Sequence, residues 1–208
     1  MDVYEAISRR MTIREFEDRE IPAEIIRKLL VAGLQAPTND HLRQWEFILV
    51  QDMATRERLI SLINSSRTKS DAETLVNQWG MTDSSQRDMY LDAIPKQYAM
   101  LFRAGCLMIP CFRPTGELLQ PETLSSLNSF ASIWCCIENI LIAAAAEGIF
   151  GVTRIPAERE REHLRRVLNI PEAYEVPCYL ALGYPAPTAK RLKQHEINIE
   201  EKIHLNAW

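Results

Sequence analysis

Glycine is scarce in this 208-residue chain: there are seven, and none falls in GxGxxG or in the phosphate loop GxxxxGK. That removes the dinucleotide fingerprint of Rossmann folds and the P-loop signature. There is also no GxSxG, no HExxH and no His/Cys cluster at metal-ligand spacing, and the four histidines, His41, His163, His195 and His204, are scattered. Hydrolytic and metal-dependent chemistry therefore find no support in the motifs. The five cysteines are odd in number, with Cys135 and Cys136 adjacent and no CxxC spacing. Such a set fits reduced thiols, read here as small core hydrophobes, better than a disulfide framework. An excess of charge is missing too: 24 Lys plus Arg against 28 Asp plus Glu leave a formal charge of -4. This argues against nucleic acid or an anionic membrane as the main partner. The opening MDVYEAISRR has no apolar core, so neither a signal nor a transit peptide is expected, and the protein is expected in the cytoplasm.

What is present is an average globular composition, 47% hydrophobic and 25% charged. No repeat and no Pro/Gly/Ser-rich linker divides the chain, so a single domain over 1–208 is expected. Asp2 with Glu5 reads as a capping box that opens a short helix through about Arg9. Pro22 opens a second helix, with Ile25, Ile26, Leu29 and Leu30 at helical spacing and Gly33 near its end. Glu46 to Val50, Cys106 to Phe112 and Tyr174 to Leu182 read as strands, with Pro110 and Pro177 pushing theirs towards edge or irregular pairing. The polar segment 65–92 reads as either a helical excursion or a mobile loop. Phe130 to Ala146 is apolar but interrupted by Glu138 and Asn139, and it is somewhat short of the roughly 20 residues a membrane span needs, so it reads as a buried helix. Pro156, followed by Glu158 and Glu160, starts a further helix. This irregular order of helices and few strands points to an α+β fold.

One local pattern carries chemistry. In RMTIREF an extended backbone would place Arg10, Thr12 and Arg14 on one face, a row of two guanidinium forks and a hydroxyl. Guanidinium binds phosphate bidentately and stays charged at any working pH. Taken alone, the same row is a solvated basic edge.

RMTIREF, followed some twenty residues later by GLQAPTNDHLRQWEFILVQD, resembles the opening of the nitroreductase family of FMN-dependent oxidoreductases. Later pieces match in order: a long apolar helix ending AAAAEGIFG, then TRIP, then YLALGYP with Lys190 and Arg191 beyond it. Only Ser65 to Asp92 lacks a clear counterpart. The resemblance implies a central, mainly antiparallel sheet flanked by helices and a two-fold homodimer with FMN at the interface.

Carried over residue by residue, the resemblance assigns Arg10 to the flavin phosphate and Thr12 to the position beside it. Met11 stands where the family has a second arginine, so that only its backbone could serve. Arg14 matches the basic residue near the pyrimidine edge, where a fixed cation would favour the reduced ring. Pro37, Thr38 and Asn39 match a segment that reaches the partner subunit's FMN, and His41 lies in the same loop. Gln97 falls near a polar residue facing the pyrimidine. Ile155 matches a residue whose N–H meets flavin N5, and Pro156, having no N–H, leaves Ile155 as the donor there. Lys190 and Arg191 would complete the phosphate site. Glu138 and Asn139 match a polar pair at the dimer interface, and a buried Glu138 would need a partner across that interface or in water.

The expected activity is transfer of hydride from NADH or NADPH onto flavin N5 and then reduction of a small-molecule organic acceptor, a nitroaromatic or a quinone. The flavin carries the chemistry and no catalytic acid or base is assigned. His41 and Arg43 make the loop before Trp45 unusually basic. That leaves room for a relative with a different flavin reaction, such as dehalogenation, heterocycle oxidation or flavin fragmentation. A flavin-binding protein without turnover is the alternative from outside the enzymes.

Overall fold

The structure is a computed structural model that describes residues 1–192 and 196–208; His195 lies outside the described residues. Four strands form one antiparallel sheet in the order β1-β2-β4-β3: β1 (Trp45–Leu49), β2 (Cys106–Phe112), β3 (Phe150–Arg154) and β4 (Tyr179–Gly183). The α+β expectation holds. β1 and β2 lie where their apolar runs place them, whereas the regular strand expected over Tyr174 to Leu182 begins only at Tyr179. The reason is proline. Met108 pairs with Leu180, but farther along the same two segments Phe112 pairs with Glu175, a shift of one residue. Pro110 and Pro177, which have no N–H to give to a ladder, both fall inside that irregular stretch. β3 was not expected as a strand. It is a short edge element whose outer side is partly covered by the Arg10–Phe16 segment, through a parallel bridge from Thr12 to Gly151 and an Ile13 N–H to Gly151 O bond of 3.2 Å.

Alternation along the strands sends two sets of side chains into two helical layers. Leu107, Ile109 and Cys111 join Leu59 of α3 (Met53–Leu59), Leu101 of α5 (Ser84–Phe102) and Leu164 of α7 (Glu158–Leu168). Cys106, Met108 and Phe112 join Leu29 of α2 (Ala23–Gly33) and Ile133, Ile137 and Ile140 of α6 (Asn128–Ala146). Helix α6 is long and apolar enough to cross a membrane, yet the residues just named bury one face of it in the core. Gly33 lets α2 and α6 approach closely: a Cβ there would stand 2.7 Å from Ile140. The first helix, α1 (Val3–Arg9), opens as expected, with Asp2 accepting the Glu5 N–H at 2.8 Å. Helix α7 begins at Glu158 with Ala157 as its cap, so Pro156 precedes the helix instead of starting it.

The polar segment 65–92 is helical. It forms α4 (Lys69–Gln78) and the first half of α5, which close on a small apolar cluster of Ala72, Val76 and Ile94. The reading of all five cysteines as core residues needs one correction: Cys106, Cys111, Cys136 and Cys178 are buried, but Cys135 is exposed because it lies on the outer face of α6. Burial pushes the thiols of Cys106 up to about 11 and of Cys111 and Cys136 up to about 12. A disulfide-exchange reagent at pH 8 should therefore titrate at most one thiol per native chain and all five in denaturant. Two or more fast-reacting native thiols would contradict this packing.

Candidate active site

The Arg10–Phe16 segment is extended as its sequence requires, with Ile13 fully buried beneath it and Met11 packed on the same core. Met11 can thus offer a ligand only its backbone. Arg10 caps α1, its N–H donating to Ala6 O, and its side chain turns towards α6, where Nε lies 3.1 Å from Glu138 Oε1. Within the single chain Glu138 is half exposed and has Arg10 as its partner. Asn139 donates to Ala32 O at the end of α2.

Arg14, assigned by the resemblance as a fixed cation near the pyrimidine edge, is paired with a carboxylate. Its side chain is only 10% exposed, and Nη1 lies 3.5 Å from Oδ2 of the equally enclosed Asp92 on α5. Burial lowers the Arg14 pKa from its ordinary value, with Asp92 opposing the shift. Asp92 also receives Lys96 Nζ at 2.5 Å, and Lys96 reaches Glu15 at 2.8 Å. Burial alone would lower Lys96, but its bonds to Asp92 and Glu15 outweigh that and leave it raised. Glu15 Oε2 further accepts the Lys190 N–H at 3.2 Å, which ties the segment after β4 to the same cluster. Asp92 and Lys96 carry no local sequence signal, since their partners lie far away in the chain.

Beyond the cluster, Arg191 lies over the Phe150 ring at 5.9 Å, and Gln97 meets Arg154 at 3.5 Å. Arg154 is the last residue of β3, and Ile155 and Pro156 follow it directly. Arg10, Thr12, Arg14, Gln97, Ile155, Pro156, Lys190 and Arg191 are thus gathered along and beside edge strand β3. Pro37, Thr38, Asn39 and His41 are not among them. Their loop is held on α6 instead, with the Asn39 N–H donating to Ser132 Oγ at 3.1 Å. Within it Asp40, His41 and Arg43 all adopt left-handed backbone, with φ of 48°, 53° and 50°. Non-glycine residues seldom do so, and such strain concentrates at ligand-contacting loops. A cavity of about 990 Å³ lies elsewhere, between the loop 16–21 and the ends of β1 and α5, and none of the expected flavin residues lines it.

The donors present suit FMN. Among the described residues neither Lys190 nor Arg191 has a carboxylate partner, and Arg10 commits only Nε. The N–H of Ile155 has no acceptor there either, and Ile155 itself is 68% exposed. Free cations at one end of an edge strand and a free backbone N–H at the other would serve the phosphate and ring ends of one ligand.

In comparison with known proteins, the family model of the nitroreductases matches residues 7–184. The chain belongs to the nitroreductase family. A Methanothermobacter thermautotrophicus protein, provisionally named NADH dehydrogenase/NAD(P)H nitroreductase, is 29% identical over all of this chain and 88% of its own. An iodotyrosine deiodinase of Haliscomenobacter hydrossis is 23% identical over 90% of this chain and 81% of its own. Among solved structures, an iodotyrosine deiodinase bound to FMN and 3-iodo-L-tyrosine superposes with a TM-score of 0.75 at 16% identity, each chain wholly covered. The NADPH:FMN oxidoreductase of Vibrio harveyi gives 0.70 at 17%, covering 99% of this chain and 77% of its own. At such identities these two matches speak to the fold.

Proposed function

We propose that the protein is a single-domain FMN-dependent oxidoreductase that uses NADH or NADPH to reduce a small organic acceptor, and that it works as a homodimer in the cytoplasm. The observation that carries this reading is the free Ile155 N–H at the end of β3, in line with the cations gathered beside that strand's start. When bound, FMN supplies the chemistry by accepting hydride at N5 and releasing electrons to a nitroaromatic or quinone. The chain's own part is to bind and orient. Arg10, Lys190 and Arg191 hold the phosphate, Thr12 supports it, and Ile155 donates its N–H at the ring. Gln97 and Arg14 lie at the pyrimidine side. The strained loop of Pro37 to His41, set apart from that cluster, is the piece offered to the FMN of the second subunit. Apolar Val3, Tyr4 and Ile7 stand 50–81% exposed on α1, which fits burial of that helix in a dimer.

The test is direct. Purified protein should release FMN on denaturation, bleach when NADH or NADPH is added anaerobically, and sediment as a dimer. Protein that stays colourless after reconstitution and desalting would sink the reading. Bound flavin that no reduced nicotinamide bleaches would leave a binding protein without turnover.

Arg14 and Asp92 should act on the flavin with opposite signs. A cation near the pyrimidine edge stabilises the reduced ring, and Asp92 at 3.5 Å offsets part of that charge. Arg14→Gln should lower the midpoint potential and Asp92→Asn should raise it, each by roughly 20 mV for about 1 kcal/mol in a two-electron couple. Equilibrium dye reduction checks this, and an unchanged potential in both variants would place the pair out of electrostatic reach.

A further inference from the structure

Glu160 makes three hydrogen bonds that meet around two residues. Its Oε2 receives Arg154 Nη1 at 2.5 Å and its Oε1 receives Nη2 at 2.8 Å, a bidentate pair with side chains 13% and 11% exposed. Oε2 also accepts the Ala157 N–H at 2.9 Å. One carboxylate thereby holds the residue before Ile155 and the residue after Pro156. Burial alone would raise the Glu160 carboxyl, but the bonds from Arg154 and Ala157 outweigh it and hold it below its ordinary value. The group stays ionised at neutral pH, and the stability the clamp contributes is lost only as pH falls through that depressed value.

Helix capping accounts for part of this arrangement. Ala157 has no side-chain acceptor, so Glu160 supplies half of a capping box on its own. Capping does not require the guanidinium, however, and a buried ion pair adds little stability over apolar side chains of similar volume. What the pair adds is geometry. It fixes both ends of a dipeptide whose one backbone donor, the Ile155 N–H, is left without an acceptor among the described residues. The Arg154 guanidinium also lies 5.8 Å from the ring of the fully buried Tyr179 and touches Gln97, so the clamp is anchored in the core on one side and reaches the flavin residues on the other.

We infer that Glu160, acting through Arg154 and the Ala157 N–H, is a positioning residue that aims the Ile155 N–H at the ring of the bound flavin and cancels the charge that Arg154 would otherwise present there. This rests on the FMN reading above. It separates two effects of one side chain, position and charge, and variants can divide them. Glu160→Gln loses the charge and the bidentate pair. Glu160→Asp keeps the charge but is one methylene too short to hold Arg154 and Ala157 together. Arg154→Met with Glu160→Met removes the clamp with no change in net charge.

FMN-reconstituted protein should be compared by fluorescence titration for FMN affinity, by anaerobic stopped-flow for reduction by NADH, and by dye equilibration for the midpoint potential. FMN affinity should stay within about threefold in all three variants, since the phosphate residues are untouched. The limiting reduction rate should fall at least about tenfold in each, with the apparent affinity for NADH within about twofold. The midpoint potential should rise in Glu160→Gln alone, where an uncompensated guanidinium faces the ring. A merely structural role would move the melting temperature without this split between rate and potential. Limiting rates within twofold of the unaltered chain, in the double variant or in Glu160→Asp, would overturn the inference; an unaltered chain that binds no FMN would overturn the underlying reading instead.

Discussion

Replacing Arg10 with alanine should weaken FMN binding by about 10- to 150-fold, because a charge-assisted hydrogen bond to phosphate is worth about 1.5–3 kcal/mol. Three features of the fold put the loss there. Capping at the end of α1 turns the chain out of the helix at Arg10, so its side chain is free to run beside the extended segment towards α6. Its Nε is taken by Glu138 at 3.1 Å, which fixes the plane of the guanidinium and leaves the two terminal nitrogens for a ligand. Arg191, whose guanidinium lies 5.9 Å from the Phe150 ring at the start of β3, supplies further charge along the same strand, with Lys190 next to it in the chain. Glu138 gives the control with the opposite sign. Half exposed, it contributes little to stability through its ion pair, and its carboxylate stands near the place where a dianionic phosphate would sit. Glu138→Gln should therefore bind FMN as tightly as the unaltered chain or several-fold more tightly. Fluorescence titration at low and moderate salt checks both variants, and the Arg10→Ala deficit should shrink as salt rises. A Kd for Arg10→Ala within threefold of the unaltered value would move the phosphate away from α1.

The local part of this site was legible and the tertiary part was not. Alternation in RMTIREF set Arg10, Thr12 and Arg14 apart from the residues between them, of which Ile13 is fully buried, because two-residue periodicity needs only neighbouring residues. Pro110 and Pro177 announced their irregular pairing for a similarly local reason, the missing N–H. By contrast β3 is five residues, FGVTR, with a glycine and an arginine in it, and it follows a long apolar helix that dominates any window placed over it. Asp92 sits on a helix in the polar 65–92 segment, whose buried cluster is too small to impose a visible apolar stripe, so nothing local tied it to Arg14. Glu160 read as a helix-start acid, and half of that is right. Its other half depends on Arg154 across a turn, a spacing that no helix or strand period selects. The residues that would touch the flavin could be found by family pattern, and those that hold them in place came only from packing.

Arg56 is the clearest case, and its removal should cost the fold about 3–5 kcal/mol. In sequence it is one of two arginines on the short helix α3, indistinguishable from a solvated charge. In the structure it is 5% exposed, and its guanidinium donates to Phe102 O at 2.9 Å, Ala104 O at 2.7 Å and Val50 O at 2.8 Å. Those carbonyls belong to the end of α5, the entry to β2 and the exit from β1, so one side chain ties three segments together beside the backbone bond from the Val50 N–H to Leu107 O. Among the described residues its Nε has no partner and no carboxylate pairs with it, and burial lowers its pKa from the ordinary value without discharging it. Arg56→Ala would orphan three carbonyls at about 1–3 kcal/mol each, moderated by water entering from the adjoining cavity. For a chain of this size, 3–5 kcal/mol lowers Tm by roughly 6–20 °C. Arg56→Met refills most of the volume but none of the hydrogen bonds, so it should be nearly as unstable as Arg56→Ala if the bonds dominate. Arg56→Lys keeps a charge and three donors at one point and should fall between. Urea unfolding of the four proteins orders them, and a methionine variant within about 1 kcal/mol of the unaltered chain would show that water satisfies the carbonyls. FMN affinity of the folded variants should not change beyond about twofold, because none of the flavin residues lines the cavity beneath Arg56. A larger loss would mean that the junction of α5 with β2 transmits strain to Asp92 and Gln97 on the same helix.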